Sequence, residues 1–380
     1  MNKHRLGAYF HIPFCDTKCV YCDFFSITNH SQSEKFYSAI EKEIHLFFEK
    51  FKVEGPVTSV YFGGGTPSLA DPKDLAACVS GLKKYLPFDP NLEVTLEANP
   101  GTLTNEKLKS LVDFGFNRIS MGVQSFFEED LKFLDRIHSA DQAKNAVFQA
   151  KQNGFQNISI DLIFGLPKQS LENWKQNLEQ AVKLPISHIS CYNLIVEENT
   201  PLWNYVQSGK VKILPEVKNE ELYEFTIEFL KSEGFEQYEV SNFCKPGFES
   251  LHNSTYWSYD NYLAFGPSAH GFLNGNRYFN GKNLTKYIEM IENGQLPHTS
   301  SELIAGKTMI NEKLMLSLRI SSGVGIQNIW KELSETEKKT LTAKLDKYKN
   351  QDLLIWNNDL IQPTEKGIRF ADSIAEDLFI

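Results

Sequence analysis

From Gly7 to about Leu194 the chain repeats one pattern about six times: a short apolar run, a loop, then a helix-length amphipathic segment. The apolar runs are Ala8–Ile12, Val57–Phe62, Leu92–Glu97, Arg118–Val123, Ile158–Ile163 and His188–Ile195, each of strand length. Between them the segments Glu34–Phe51, Pro72–Tyr85, Asn105–Phe114, Asp141–Asn153 and Leu171–Leu184 read as helices. Several open on Ser, Thr or Asp caps and close near Gly115 or Gly154. Strands alternating with helices imply parallel pairing, and six such units suit an open, partial (β/α)6 barrel. A doubly wound sheet is the alternative, although no nucleotide loop follows the first strand.

Beyond Ile195 the regularity fails. Glu216–Gly234 reads as a helix and Phe235–Phe243 as a strand, followed by a dense aromatic stretch from His252 to Gly271 with little helical period. That stretch reads either as core covering the open side of the barrel or as the wall of a large, flat, apolar ligand site. Residues 303–380 carry helices at Leu303–Leu318 and about Glu335–Asn350. A hairpin signal follows, Leu353–Trp356 and Leu360–Ile361 about Asn357, Asn358 and Asp359, as in a small winged-helix-like domain. The expected division is a barrel core over 1–200, a barrel-completing extension over 201–300 and a C-terminal domain over 301–380.

Composition narrows the class. A 41% hydrophobic, 23% charged chain is ordinary for a globular protein, and a net charge of −9 argues against a nucleic-acid partner held by a broad basic face. No stretch approaches the roughly 18 apolar residues that span a bilayer, which leaves only peripheral membrane contact open. Six cysteines, three of them clustered, suit a reducing compartment and the cytoplasm rather than a disulfide framework.

The clustered three carry the chemistry. Cys15, Cys19 and Cys22 stand at C-x3-C-x2-C spacing, with Tyr21 before the last and Phe24 after it. Three thiolates on one loop suit an iron–sulfur cluster with one iron lacking a protein ligand. Zinc would need a fourth Cys or His; His11 and His30 are nearby, but at no usual finger spacing. Ligands of parallel α/β folds collect at the C-terminal ends of strands. Those ends here carry the cysteine loop, Gly63–Pro67 (GGGTP), Glu97–Pro100, Gln124–Phe126, Asp161 with Gly165–Pro167, and Tyr192–Asn193. GGGTP is neither a Walker A loop nor G-x-G-x-x-G; it reads as a tight turn or as a place where backbone approaches a ligand closely.

The cysteine spacing resembles the signature of the radical S-adenosylmethionine (SAM) superfamily, which implies a [4Fe-4S] cluster whose open iron is chelated by SAM. Further segments, among them Tyr61–Pro67 (YFGGGTP), Glu93–Gly101 (EVTLEANPG), Arg118–Phe126 (RISMGVQSF), Asp161–Pro167 (DLIFGLP) and Tyr238–Phe243 (YEVSNF), are similar to the oxygen-independent coproporphyrinogen III oxidase-like branch. The decarboxylating oxidases carry a fourth cysteine where this chain has Phe24, and a longer segment before the cysteines. Both departures, with the H-N-x-x-Y-W run at His252–Trp257, resemble the branch's heme-chaperone subfamily, which binds heme and passes it on rather than making it.

Carried onto this sequence, the resemblance implies that Cys15, Cys19 and Cys22 ligate the cluster. It implies that Tyr9, Tyr21, Gly64, Gly65, Thr66, Glu97, Gln124, Arg136 and Asp161 line the SAM pocket, and that His252 contacts heme. Tyr21 offers adenine a stacking face, and Arg136 can pair with the methionyl carboxylate. Heme, a heme-accepting protein and an electron donor for the cluster are the implied partners. The other reading is an enzyme that decarboxylates coproporphyrinogen III; no general acid/base pair is assigned to any residue.

Overall fold

The computed structural model describes residues 5–357 and 359–380, so the turn position Asn358 lies outside the described residues. Six strands stand where the apolar runs predict them: β1 (Leu6–Ile12), β2 (Val57–Gly64), β3 (Phe88–Ala98), β4 (Arg118–Gln124), β5 (Asn157–Phe164) and β6 (His188–Asn193). They pair in parallel in chain order. Helices α1 (Ser33–Lys50), α2 (Pro72–Lys83), α3 (Asn105–Asp113), α4 (Glu128–Phe133), α5 (Ala140–Gln152) and α6 (Leu171–Val182) connect them. The caps are those the sequence signals: the side chains of Asp71, Thr104, Ser139 and Ser170 accept hydrogen bonds from N–H groups of the first turns of α2, α3, α5 and α6. The short α4 carries too little periodicity to be expected.

The second third of the chain adds α7 (Pro201–Gln207), α8 (Glu216–Ser232), β7 (Glu236–Gln237), β8 (Asn242–Cys244), α9 (Leu251–Trp257), β9 (Asn261–Phe265), β10 (His270–Leu273), β11 (Asn276–Asn280), α10 (Leu284–Glu292) and β12 (His298–Leu303). The strand expected over Phe235–Phe243 is therefore two short strands joined by a turn. The aromatic stretch contains a helix and a hairpin. Its strand β9 pairs with β1 in parallel, Gly7 opposite Tyr262, so that the α/β partial barrel gains a seventh parallel strand. Antiparallel strands flank both ends, giving a twelve-stranded sheet in the order β12-β11-β10-β9-β1-β2-β3-β4-β5-β6-β8-β7.

Strand alternation gives this sheet two unlike faces. Phe10, Phe62, Leu96, Ile119, Ile160 and Ile189 belong to the main apolar core that the helices cover. Phe10 stacks on Phe62 and Phe265 with ring centroids 4.9 and 5.2 Å apart. The intervening positions are polar and in register: Tyr9 opposite Tyr61, Tyr61 opposite Thr95, Thr95 opposite Arg118, Glu97 opposite Ser120, Gly122 opposite Asp161, and Asp161 opposite Ser190. The inner face of the barrel is thus polar.

The C-terminal residues form α11 (Gly306–Ser317), β13 (Val324–Gly325), α12 (Gln327–Trp330), α13 (Glu335–Asn350), β14 (Leu354–Trp356), β15 (Leu360–Pro363) and α14 (Ala371–Leu378). Their three strands make a separate sheet, and Ile310, Leu314, Leu345, Ile361 and Leu378 belong to a second apolar core.

Candidate functional site

The cysteine loop leaves β1 and is tied down by its own backbone. The N–H of Cys15 donates to Ile27 O (3.0 Å), that of Ile27 to Pro13 O (2.7 Å), and that of Cys22 to Cys19 O (3.2 Å). The glycine run after β2 locks against it, with Gly65 N–H donating to Ile12 O at 2.8 Å and Thr66 N–H to Phe14 O at 2.7 Å. Gly64 has φ +113°, a left-handed conformation that disfavours any side chain. Two side chains reach the thiols: Thr66 Oγ1 donates to Cys15 Sγ at 3.3 Å, and Arg136 Nη1 to Cys19 Sγ at 3.4 Å. Burial pushes the Cys15 thiol up, opposed by the hydrogen bonds from Thr66 and Ser26, and pushes Cys22 up as well.

These cysteines open onto a cleft at the C-terminal ends of the strands, of about 950 Å³ counting space open to solvent. Eleven expected site residues line it: Cys15, Cys19, Tyr21, Cys22, Gly64, Gly65, Thr66, Glu97, Gln124, Arg136 and Asp161. Glu97 accepts from Tyr61 OH at 2.8 Å and from Gly64 N–H at 3.1 Å. Burial, with Asp161 close by, pushes its carboxyl up to about 7 against those two hydrogen bonds. Asp161 accepts from Ser120 Oγ at 3.3 Å, and burial raises its pKa too. Arg136 also donates from Nη2 to Gly122 O at 2.7 Å, while its buried Nε has no partner among the described residues. Gln124 holds φ +68°, an uncommon conformation for a non-glycine residue, at the end of β4. The cleft therefore has an acidic floor and a guanidinium beside the thiols, a polarity suited to a zwitterion.

Two expected residues lie elsewhere. Tyr9 lines an adjoining groove, where its hydroxyl meets His11 Nδ1 at 3.1 Å. His252, expected to contact heme, is instead fully buried: Nδ1 meets Ser59 Oγ at 2.9 Å and Nε2 meets Tyr256 OH at 2.7 Å. Its ring stacks on Tyr61, centroids 5.0 Å apart. Both nitrogens are engaged and the ring has no open face, so in this arrangement His252 packs as a wedge between α9 and the barrel. Nor does His30 turn to the thiols as a zinc ligand would; its Nε2 meets Cys15 O at 3.1 Å.

Behind the cleft stand residues the sequence reading missed. Arg118 is 2% exposed, and its Nε and Nη1 have no hydrogen bond among the described residues. Glu93, 3.9 Å away, accepts from the N–H groups of Leu251 and His252 and so pins the start of α9 to the barrel. Ser120 and Gly122 line the cleft itself. The available signal was spacing: Arg118, Ser120 and Gly122 are alternate positions of one strand and share the inner face.

Fold and cleft define a radical SAM protein: the Radical SAM superfamily model matches residues 9–181, and the HemN C-terminal domain model matches residues 304–370. Coproporphyrinogen III oxidase (HemN) from Escherichia coli superposes with a TM-score of 0.84 over 99% of this chain and 90% of that one, at 23% identity, a likeness of fold. The heme chaperone HemW of Lactococcus lactis is 36% identical over 97% of this chain and 96% of its own, and that of Bacillus subtilis 36% over 84% of each. The chain belongs to the HemW family.

Proposed function

We propose that this protein is a heme chaperone that binds heme and hands it to an acceptor protein. Family membership across nearly the whole length carries this reading, and Phe24 at the position of the oxidases' fourth cysteine supports it. Cys15, Cys19 and Cys22 would hold a [4Fe-4S] cluster. The histidines nearest the loop are engaged elsewhere, His11 with Tyr9 OH and Phe25 O and His30 with Cys15 O, so three thiolates without a fourth ligand suit a cluster better than a closed zinc site.

SAM fits the remainder of the cleft by charge. The Glu97 carboxyl and the backbone of Gly64–Thr66 suit its ammonium group, and Arg136, with a donor to spare, suits its carboxylate. Tyr21 would face adenine, and Gln124 and Asp161 would meet the polar sugar side. When bound, cluster and SAM supply one-electron chemistry, for which an external electron donor is required. Among the described residues no helix is long and apolar enough to cross a membrane. Clustered free cysteines suit a reducing compartment, and we assign the protein to the cytoplasm.

The test incubates anaerobically reconstituted protein with SAM, a reductant and either coproporphyrinogen III or heme. Heme binding and transfer to an apo-acceptor, without protoporphyrinogen, is the expected result. Formation of protoporphyrinogen IX would overturn the reading.

A further inference from the structure

A second concavity, the groove that Tyr9 lines, adjoins the cleft and shares Phe24 with it; it offers about 900 Å³ counting space open to solvent. It lies where the loop after β9 reaches the rim, so the seventh parallel strand supplies its far wall. Tyr256 and Tyr262 line one side, and Phe24, 69% exposed, stands at its edge as a large apolar face without cover. His270 and Lys282 complete it, with Asp23 and His11 on the same rim.

The histidines separate sharply by what their nitrogens touch. His11, His138, His188 and His252 each engage both ring nitrogens with protein partners. So does His45, with Tyr85 and Glu49. His30 engages Cys15 O. His298 is wedged among Phe47, Phe51 and Tyr278 with its Nε2 buried. His270 alone among the described histidines is exposed at a cavity while making no hydrogen bond to a described residue. Its ring is steadied by stacking on Phe279, centroids 5.2 Å apart and 19° between planes. Partial burial, with Lys282 and Arg277 near, lowers its pKa, so the imidazole is neutral at pH 7, the form that ligates iron. Lys282 is exposed and forms no ion pair with a described residue, leaving its charge available to an anion.

We propose that heme is carried in this groove, with His270 as its axial ligand, Lys282 opposite a propionate, and Phe24 with the two tyrosines against the porphyrin plane. The assignment rests on the heme-chaperone reading and gives it a site distinct from His252. It also sets the cargo directly against the cysteine loop, since Phe24 borders both cavities.

Heme titration of the full chain, followed by the Soret band, tests it. His270→Ala and His270→Gln are expected to shift the band and weaken binding by roughly tenfold or more. Added imidazole should restore the band in the His270→Ala variant. Lys282→Glu should weaken heme but not heme dimethyl ester, which lacks the propionate charges. Unchanged Soret position and affinity in both His270 variants would overturn the assignment while leaving a heme-binding protein. Absence of heme binding by the unaltered chain is a different failure, that of the chaperone reading itself.

Discussion

At Gly65 the chain has no room for a side chain. A Cβ there would stand 2.6 Å from Phe14 O and 2.9 Å from Ile12 O, both backbone atoms of the strand and loop that carry Cys15. Gly65→Ala should therefore pry the glycine run from the cysteine loop, costing roughly 1–3 kcal/mol. Iron content after anaerobic reconstitution should fall while far-UV circular dichroism stays unchanged; a full iron complement in the variant would contradict this. His252 makes a separate prediction through its protonation. Burial, with Arg118 nearby, lowers its pKa to about 3 in the folded chain. The unfolded chain binds a proton near pH 6.5, so between about 6.5 and 3 the unfolded state holds more protons and stability declines as pH falls. His252→Gln should flatten that decline by a few kcal/mol, read from urea denaturation at pH 7.5 and 5. The gathering of Cys15, Glu97 and Asp161 in one cleft was legible because each stands at or near the end of an apolar run, whereas Arg136, beyond α4, was reached only through the resemblance. The fate of His252 was not, because it is decided by Ser59 and Tyr61, strand residues whose inward face the apolar pattern does not mark.

Among elements, α1 does more than cover the sheet. Its Glu43, 1% exposed, accepts from Gly266 N–H (2.8 Å), Asn280 Nδ2 (2.8 Å) and Tyr287 OH (2.6 Å), tying together the loop after β9, the end of β11, and α10. Burial pushes the Glu43 carboxyl up to about 7 despite these three donors. Glu43→Ala would leave the Gly266 N–H and the Tyr287 hydroxyl buried and unpaired, Asn280 Nδ2 keeping only Gly266 O at 2.7 Å, at a cost on the order of 2–5 kcal/mol. The denaturation midpoint should drop accordingly, and amides of β9 and β10 should lose hydrogen-exchange protection first. Uniform loss of protection across all strands would contradict the local role. Helices of twelve or more residues could be read from their periodicity and caps. The seven-residue α9 could not, since two turns hold too few positions to define a face, and its aromatic residues are shared with the hairpin beside it.

At the scale of the whole molecule, the alternation of strands and helices made the parallel barrel legible over its first six units, and the resemblance of the cysteine region pointed to its cofactor class. What sequence spacing could not convey was closure of the far edge. β9 follows a helix and a turn of irregular chain, and nothing local says that Tyr262 lies beside Gly7. That pairing bears on how the protein is made. During synthesis, Leu6–Ile12 emerges before β2 and can pair with it early, yet its other edge stays unpaired until Asn261–Phe265 has left the ribosome. The cysteine loop, which grows directly out of β1, thus rests on a half-supported strand for much of translation. A fully paired β1 beneath the cysteine loop therefore requires the chain through Phe265, and a product truncated before it would carry that loop on a strand with one edge unpaired.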